Sequence, residues 1–284
     1  MNVREATRGQ GVLPNLIVIG ALKCGTTSLH YYLNLHPQIS MSTKKELNFF
    51  IEERNWPKGV AWYRSYFRAN AKIHGESSPG YTAYPRFRGV PERMASLIPD
   101  AKLLYVVRDP LERIISHYVQ SQAAGHESRS LAEALNDFST NYYIKCSQYG
   151  MQMERYLNHF PPSNILVVQA EELALKRAAT LKTIFRFLGV DDSFFSKKMA
   201  NVKNRSVDKR RMGRVGSLLM VIPGWTHFDR LPAKVKKVLF SPISKPIETP
   251  ALEDRLRKDL QDFMKEDINR FRKIAGRSFE TWSV

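Results

Sequence analysis

The sequence, 284 residues long, predicts a three-layer α/β fold: a central parallel sheet with helices on both faces. Three observations lead there. Short apolar runs alternate with amphipathic stretches along the chain. The first run, Leu16–Gly20, ends in a glycine-bracketed loop that opens a helix, and another, Lys102–Val107, ends in Arg-Asp-Pro. With 43% hydrophobic and 25% charged residues the chain has the composition of a globular domain with a substantial core. A single domain is expected over residues 14–284, after a short extension at 1–13.

The run Leu16-Ile17-Val18-Ile19-Gly20 has no polar side chain and is set off by Pro14-Asn15, the pattern of a strand buried on both faces. Lys72–Glu76, Lys102–Val107 and Ile165–Gln169 are similar runs bounded by Pro, Asp, Asn or charged residues. Helices are expected at Thr26–Leu35, Gly59–Arg68, Pro91–Leu97, Leu111–Ala123, Ser130–Phe138, Gln148–His159 and Lys176–Leu188. In the last of these Leu181, Ile184, Phe185 and Leu188 recur at helical spacing and belong in the core. A closing amphipathic helix, Pro250–Ala275, directs Leu252, Leu256, Leu260, Phe263, Ile268 and Phe271 inward. Glycines and prolines between Pro223 and Pro250 predict short turns there.

The formal net charge is +17, and twelve Lys or Arg fall between Lys197 and Lys237 against only Asp208 and Asp229. Such an excess suits an anionic partner: nucleic acid, an acidic lipid surface, an acidic polysaccharide or a doubly phosphorylated nucleotide. It also suits a merely solvated basic face. No zinc-ligand spacing, RNA-binding aromatic pattern or recognition helix is evident, so specific nucleic-acid binding is not expected. No apolar run approaches the ~18 residues of a membrane span, and Met1–Gln10 lacks the apolar stretch of a secretory leader. Two cysteines, Cys24 and Cys146, fit a reducing cytoplasm better than a disulfide framework.

The loop after the first strand carries the most chemistry. Gly20 and Gly25 keep the glycine spacing of a Walker A loop, but Thr26 stands in its lysine position and Lys23 lies inside the loop. Free N–H groups at a helix start, with the hydroxyls of Thr26, Thr27 and Ser28, still favour an anion. What is missing is the side chain that handles a γ-phosphate. The arrangement suits a donor whose transferable group hangs directly on a 5′-phosphate.

With Lys23-Cys24-Gly25-Thr26-Thr27-Ser28 the chain resembles the sulfotransferases that use 3′-phosphoadenosine 5′-phosphosulfate (PAPS). The likeness is to the heparan sulfate branch and its bacterial relatives, and it runs over about residues 14–215. It implies a P-loop nucleotide-kinase-like fold, PAPS as donor without a metal, and sulfuryl transfer to a hydroxyl or amine on a glycan, lipid or secondary metabolite. Lys23, Cys24, Gly25, Thr26, Thr27 and Ser28 would then form the 5′-phosphosulfate loop, with Lys23 also stabilising the leaving phosphate. Cys24, near a helix N-terminus, is expected to gain thiolate character, which the transfer does not require.

Four further segments join the resemblance. The apolar strand ending in Arg108-Asp109-Pro110, followed by Ser116, matches the 3′-phosphate site, with Arg108 and Ser116 as ligands; ion pairing of Arg108 or Arg113 with Asp109 is the structural alternative. Lys44-Lys45-Glu46-Leu47-Asn48-Phe49-Phe50 resembles the segment that supplies a catalytic base, which puts Glu46 in that role, makes Lys45 a candidate substrate-binding residue that would help Lys23 offset charge on the leaving phosphate oxygen, and places both phenylalanines in the core. A surface glutamate paired with Lys44 or Lys45 is the alternative for Glu46. Glu76-Ser77-Ser78-Pro79-Gly80-Tyr81 resembles the element beside the acceptor cleft, so Glu76 and Tyr81 are candidate acceptor-binding residues and Glu76 a second candidate base; relatives often carry Lys where Ser77 stands. Asn201-Val202-Lys203-Asn204-Arg205-Ser206, running into Lys209-Arg210-Arg211, resembles the late basic loop that closes over the nucleotide, with Arg205, Lys209 and Arg210 as candidates for the 3′-phosphate. His117 and His74 remain alternative bases, because small-molecule sulfotransferases use a histidine. Two other functions stay open: a nucleotide-dependent kinase with an atypical P-loop, and a basic, non-enzymatic polyanion-binding module. The oligomeric state is not legible.

Overall fold

The computed structural model describes residues 11–200, 210–212, 244–246 and 248–284. Five strands, β1 (Leu16–Gly20), β2 (Ile39–Met41), β3 (Ile73–Ser77), β4 (Lys102–Val107) and β5 (Ile165–Gln169), form one parallel sheet. Their order is β2-β3-β1-β4-β5. Leu16 lies opposite both Gly75 and Lys102, and Val107 opposite Gln169. All five residues of β1 are buried, which is why this strand reads as a continuous apolar run. From β1 the chain runs outward to β2, returns to β3 beside β1, and then crosses to β4 on the other side, so the carboxyl ends of these strands border the crevice where open α/β sheets bind ligands.

The crossovers are helical, as parallel strands require. They are α1 (Thr26–Leu33), α2 (Gly59–Arg64), α3 (Val90–Leu97), α4 (Pro110–Ala123), α5 (Leu131–Ala134), α6 (Tyr142–Lys145) and α7 (Tyr149–Leu157); α8 (Ala170–Leu175) and α9 (Arg177–Leu188) follow β5, and α10 (Asp254–Ala275) closes the fold. A small antiparallel pair, β6 (Arg210–Met212) and β7 (Ser244–Pro246), stands apart from the main sheet. No helix among the described residues is long and apolar enough to cross a membrane.

Differences from the sequence reading have local causes. The edge strand β2 was not expected, because three residues after a His-Pro turn are too few to show a strand period. The helix expected over Ser130–Phe138 shrinks to α5. It opens on a capping box between Ser130 and Glu133, but the Asp137 carboxylate soon accepts from Ser139 N at 3.0 Å and Thr140 Oγ1 at 2.5 Å, offering the backbone a turn instead. Asn141 then caps α6.

The buried stripe of α10 also differs. Leu260, Met264, Ile268 and Phe271 are buried as amphipathic spacing demands, whereas Phe263 is 38% exposed and packs edge-on against Phe138. Asp267 is buried instead, at 3% exposure. Its carboxylate accepts the N–H groups of Gly150 (3.0 Å) and Met151 (2.8 Å), so α10 supplies the acceptor that the first turn of α7 lacks internally. Burial pushes its pKa up, and the two N–H donors and Arg270 oppose that rise. The approach is close: a Cβ on Gly150 would lie 2.6 Å from the Asp267 carbonyl oxygen.

Asp267→Ala should therefore cost about 2 kcal/mol or more, since it leaves buried donors unpaired, and Gly150→Ala about 1–3 kcal/mol through overpacking. Denaturant titration of both variants checks this, and wild-type midpoints in either would contradict the cap.

Candidate active site

Burial of β1 delivers its last residue to the sheet's carboxyl edge, and the loop 21–25 turns there into α1. Lys23 and Gly25 both have left-handed backbones, at φ 74° and 83°. A lysine in that region is uncommon, and such strain concentrates at functional sites. Gly25 is the N-cap of α1 and makes no side-chain cap, so the first-turn N–H groups are not satisfied by it. The loop is tied down from beneath by Arg113, whose Nη1 donates to Leu22 O at 3.4 Å. Arg113 is fully buried and also donates to Ser147 Oγ and Tyr143 O. Lys23 Nζ donates to Gln120 Oε1 of α4 at 3.3 Å.

Above the loop lies a cavity of about 640 Å³, in the size range of small-molecule sites. Its wall brings together Lys23, Cys24, Gly25–Ser28, Glu46 and Arg108, residues from three separate sequence motifs. Arg108 follows β4, and its main chain is held on both sides by Tyr149: the hydroxyl donates to Arg108 O (2.8 Å) and accepts from Arg108 N (3.4 Å). Its guanidinium reaches Glu112 Oε2 at 3.1 Å. Neither Arg108 nor Arg113 forms an ion pair with Asp109 among the described residues. The Asp109 carboxylate instead caps α4, accepting from Glu112 N at 2.9 Å. Ser116 differs from expectation: it is 5% exposed on α4 and does not line the cavity, whereas Gln120, four residues on and on the same helix face, does.

Glu46 comes from a turn that strands alone do not specify. Glu46 and Asn48 adopt φ of 62° and 49°. The turn is held by Glu46 N donating to Ser77 O (3.0 Å) and Asn48 N to Ser78 Oγ (2.9 Å). Phe49 and Phe50 are wholly buried, with Phe49 stacked on Tyr63 at 4.1 Å, as the sequence predicts. The Glu46 carboxylate is half exposed at the cavity wall, and Lys45 Nζ holds its Oε1 at 2.6 Å. Both readings of Glu46 thus apply at once: it is paired with a lysine and it faces the cavity.

Glu76 and Tyr81, expected beside the acceptor cleft, are both buried and do not line the cavity. Glu76 is 0% exposed, and the hydroxyls of Tyr63, Tyr81 and Ser78 each donate to it at 2.7 Å. Burial raises its pKa against the pull of those three hydroxyls. Neither residue lines the cavity; together they fix Ser78 and, through it, the turn that presents Glu46. His74 and His117 are likewise absent from the wall. Arg205 and Lys209 lie outside the described residues, and Arg210 falls in β6.

Cys24 overturns its expectation as well. It is 1% exposed, and burial pushes its thiol up to about 11 despite the neighbouring Arg113 and the Tyr149 hydroxyl, so it stays protonated. Arg177 and Tyr32 were missed. Arg177 enters the wall from the first turn of α9 with its guanidinium over the Tyr32 ring at 5.2 Å, and no sequence spacing links residue 177 to residue 23. Gln120 had a signal, since it lies one helical turn beyond Ser116.

Because the thiolate is the reactive form, native Cys24 should resist iodoacetamide at pH 8 while the unfolded chain is alkylated readily. Peptide mass spectrometry after timed labelling reads this, and free-thiol rates in the native protein would contradict it.

The model of the sulfotransferase domain family matches residues 13–217. Heparan sulfate glucosamine 3-O-sulfotransferase 3B1 of Mus musculus is 34% identical over 192 residues, covering 64% of this chain and 47% of that protein. Bifunctional heparan sulfate N-deacetylase/N-sulfotransferase 2 of Homo sapiens is 30% identical over 200 residues, covering 63% of this chain and 22% of that protein. The matched stretch thus spans less than half the length of either relative. Among solved structures, a sulfotransferase from Alicyclobacillus acidocaldarius aligns with a TM-score of 0.69 at 25% identity, over 96% of this chain and 100% of that one. The donor loop, the Glu46 turn and the Arg-Asp-Pro turn all fall inside the matched span, and the chain belongs to the sulfotransferase family.

Proposed function

We propose that the chain transfers a sulfuryl group from PAPS to a hydroxyl or amine of an acceptor, with a glycan as the favoured class. The observation that carries this is the single cavity shared by Lys23, the start of α1, Glu46 and Arg108. The donor set fits PAPS, which has an anionic group at each end of its ribose. The wall offers Lys23 and the N-terminus of α1 for one of these groups and the planar guanidinium of Arg108 for the other. The glycan preference rests on the names of the heparan sulfate relatives and on a net charge of +17, which suits an acidic acceptor. We place the reaction in the cytoplasm, on the ground that Cys24 and Cys146 are both free and buried.

When bound, PAPS supplies a sulfuryl group on a phosphate oxygen, and transfer leaves adenosine 3′,5′-bisphosphate. The chain's own groups do the rest. The loop N–H groups and the Thr26, Thr27 and Ser28 hydroxyls hold the 5′ end, and the Lys23 ammonium offsets charge growing on the oxygen that leaves. Arg108 exchanges Glu112 for the 3′-phosphate. Lys45 holds Glu46 Oε1, which leaves Oε2 to take the acceptor's proton as its oxygen or nitrogen bonds to sulfur.

The direct test is transfer of labelled sulfuryl from PAPS across a panel of glycan, lipid and small-molecule acceptors. Failure across the panel, with no binding of adenosine 3′,5′-bisphosphate, overturns the reading.

Two variants resolve the roles. Glu46→Gln should bind nucleotide almost normally and lower kcat by about 10²–10⁴-fold; an undiminished kcat on a well-folded preparation moves the base elsewhere. Arg108→Ala should weaken adenosine 3′,5′-bisphosphate by about tenfold or more while leaving adenosine 5′-phosphate nearly untouched, as titration calorimetry would read. Equal losses for both nucleotides would make Arg108 a folding residue.

A further inference from the structure

The segment after α10 makes contacts that the proposed reaction has not used. Gly276 ends α10 in a left-handed conformation, and the chain folds back along the helix it has just left. Trp282 stacks on Phe279 at 4.2 Å and lies near parallel to Phe271, with the Tyr149 ring 5.6 Å away. Gln261 donates to Ser283 O and Arg272 to Val284 O, which pins the returning strand to α10. The strand ends against the sheet's carboxyl edge. Gln169, the last residue of β5, donates to Thr281 Oγ1 at 3.3 Å, and Ser283 meets the turn after β4.

That last meeting is bidentate. Ser283 N–H donates to Asp109 Oδ2 and Ser283 Oγ to Asp109 Oδ1 at 3.0 Å. The same carboxylate caps α4 through Glu112 N, while the Asp109 N–H donates to Glu171 Oε1 at 3.0 Å. Asp109 is 7% exposed, so water competes little for these bonds. Arg108 therefore emerges from a turn gripped on one side by Tyr149 and on the other by Asp109, and Glu112, its own ion-pair partner, stands in the helix turn that Asp109 caps. Residues 276–284 lie beyond residue 217, where the family match ends.

We propose that Ser283 is a positioning residue for the nucleotide site: by clamping Asp109 it fixes the Arg-Asp-Pro turn so that Arg108 is presented to a 3′-phosphate. The inference rests on the reading of Arg108 given above. Without the clamp, Asp109 keeps its helix cap but loses two of its donors, the turn gains freedom, and Arg108 must be ordered at the expense of binding. The 5′ end of the nucleotide, held by the donor loop, does not feel this loss.

The experiment is calorimetric titration of the full chain with adenosine 3′,5′-bisphosphate and adenosine 5′-phosphate, in wild type, Ser283→Ala, Ser283→Pro and Ser283→Thr. Ser283→Ala removes one donor and should weaken the bisphosphate about fivefold; Ser283→Pro removes both and should weaken it about tenfold or more. Adenosine 5′-phosphate should change less than about twofold in each, and Ser283→Thr should restore wild-type values. If wild type itself does not distinguish the two nucleotides, the 3′-phosphate reading of Arg108 falls and this inference falls with it. If wild type distinguishes them and Ser283→Ala and Ser283→Pro do so equally well, the inference alone is overturned. Parallel losses for both nucleotides with a lowered melting temperature also overturn it, because they mark a merely structural tail.

Discussion

Arg113 is the interaction on which the site depends. Its guanidinium is wholly buried, and among the described residues no carboxylate pairs with it. Burying a charge costs several kcal/mol unless hydrogen bonds compensate, and here the compensation comes from the Leu22 and Tyr143 carbonyls and the Ser147 hydroxyl, with His117 Nδ1 3.3 Å away. Each acceptor belongs to a different part of the chain. The loop at residues 21–25, α4, α6 and the α6–α7 connection are thereby locked to one another through a single planar group. The same charge, with no carboxylate paired to it among the described residues, lies beneath the loop at residues 21–25, where it would favour the anion proposed above.

The sheet divides the site into two halves with different supports. On the β3 side, Glu46 depends on Ser77 and Ser78, and these depend on Glu76 with its three hydroxyl donors. On the β4 side, Arg108 depends on Tyr149 and on the Asp109 cap. The β1 loop lies between them because β1 is the central strand of five. Glu46 and Arg108 thus stand on separate buried polar networks. A buried network fully supplied with partners holds one geometry, and the mechanism proposed above calls for that rigidity.

Glu76 also shows how a carboxylate next to a cleft is misread. Its sequence neighbourhood resembles an acceptor-binding element, yet three hydroxyls close around it and the side chain never reaches the cavity. Cys24 shows the same for reactivity. A helix N-terminus and a nearby arginine both favour the thiolate, and desolvation outweighs them.

By itself the sequence determined the sheet and the chemistry that local patterns encode. β1, β4 and β5 were legible to the residue: β1 and β4 lie inside the sheet and read as nearly continuous apolar runs, and the edge strand β5 reads as a mostly β-branched run closed by Gln169. The loop at residues 21–25 could be placed on a cavity from sequence because its glycine spacing, its hydroxyls and a helix start lie within ten residues, and Glu46 and Arg108 because each sits in a compact motif; the structure sets all three on one cavity wall. Only the tertiary structure decided what surrounds those residues. That Asp267 caps α7, that Arg177 joins the cavity wall, that Ser116 does not, and that Ser283 holds Asp109 all depend on pairs more than a hundred residues apart or on which face of a helix the packing buries. A polar side chain reads the same in sequence whether it meets water, a ligand or a buried amide; its partner sets its role, and the partner is chosen by the fold.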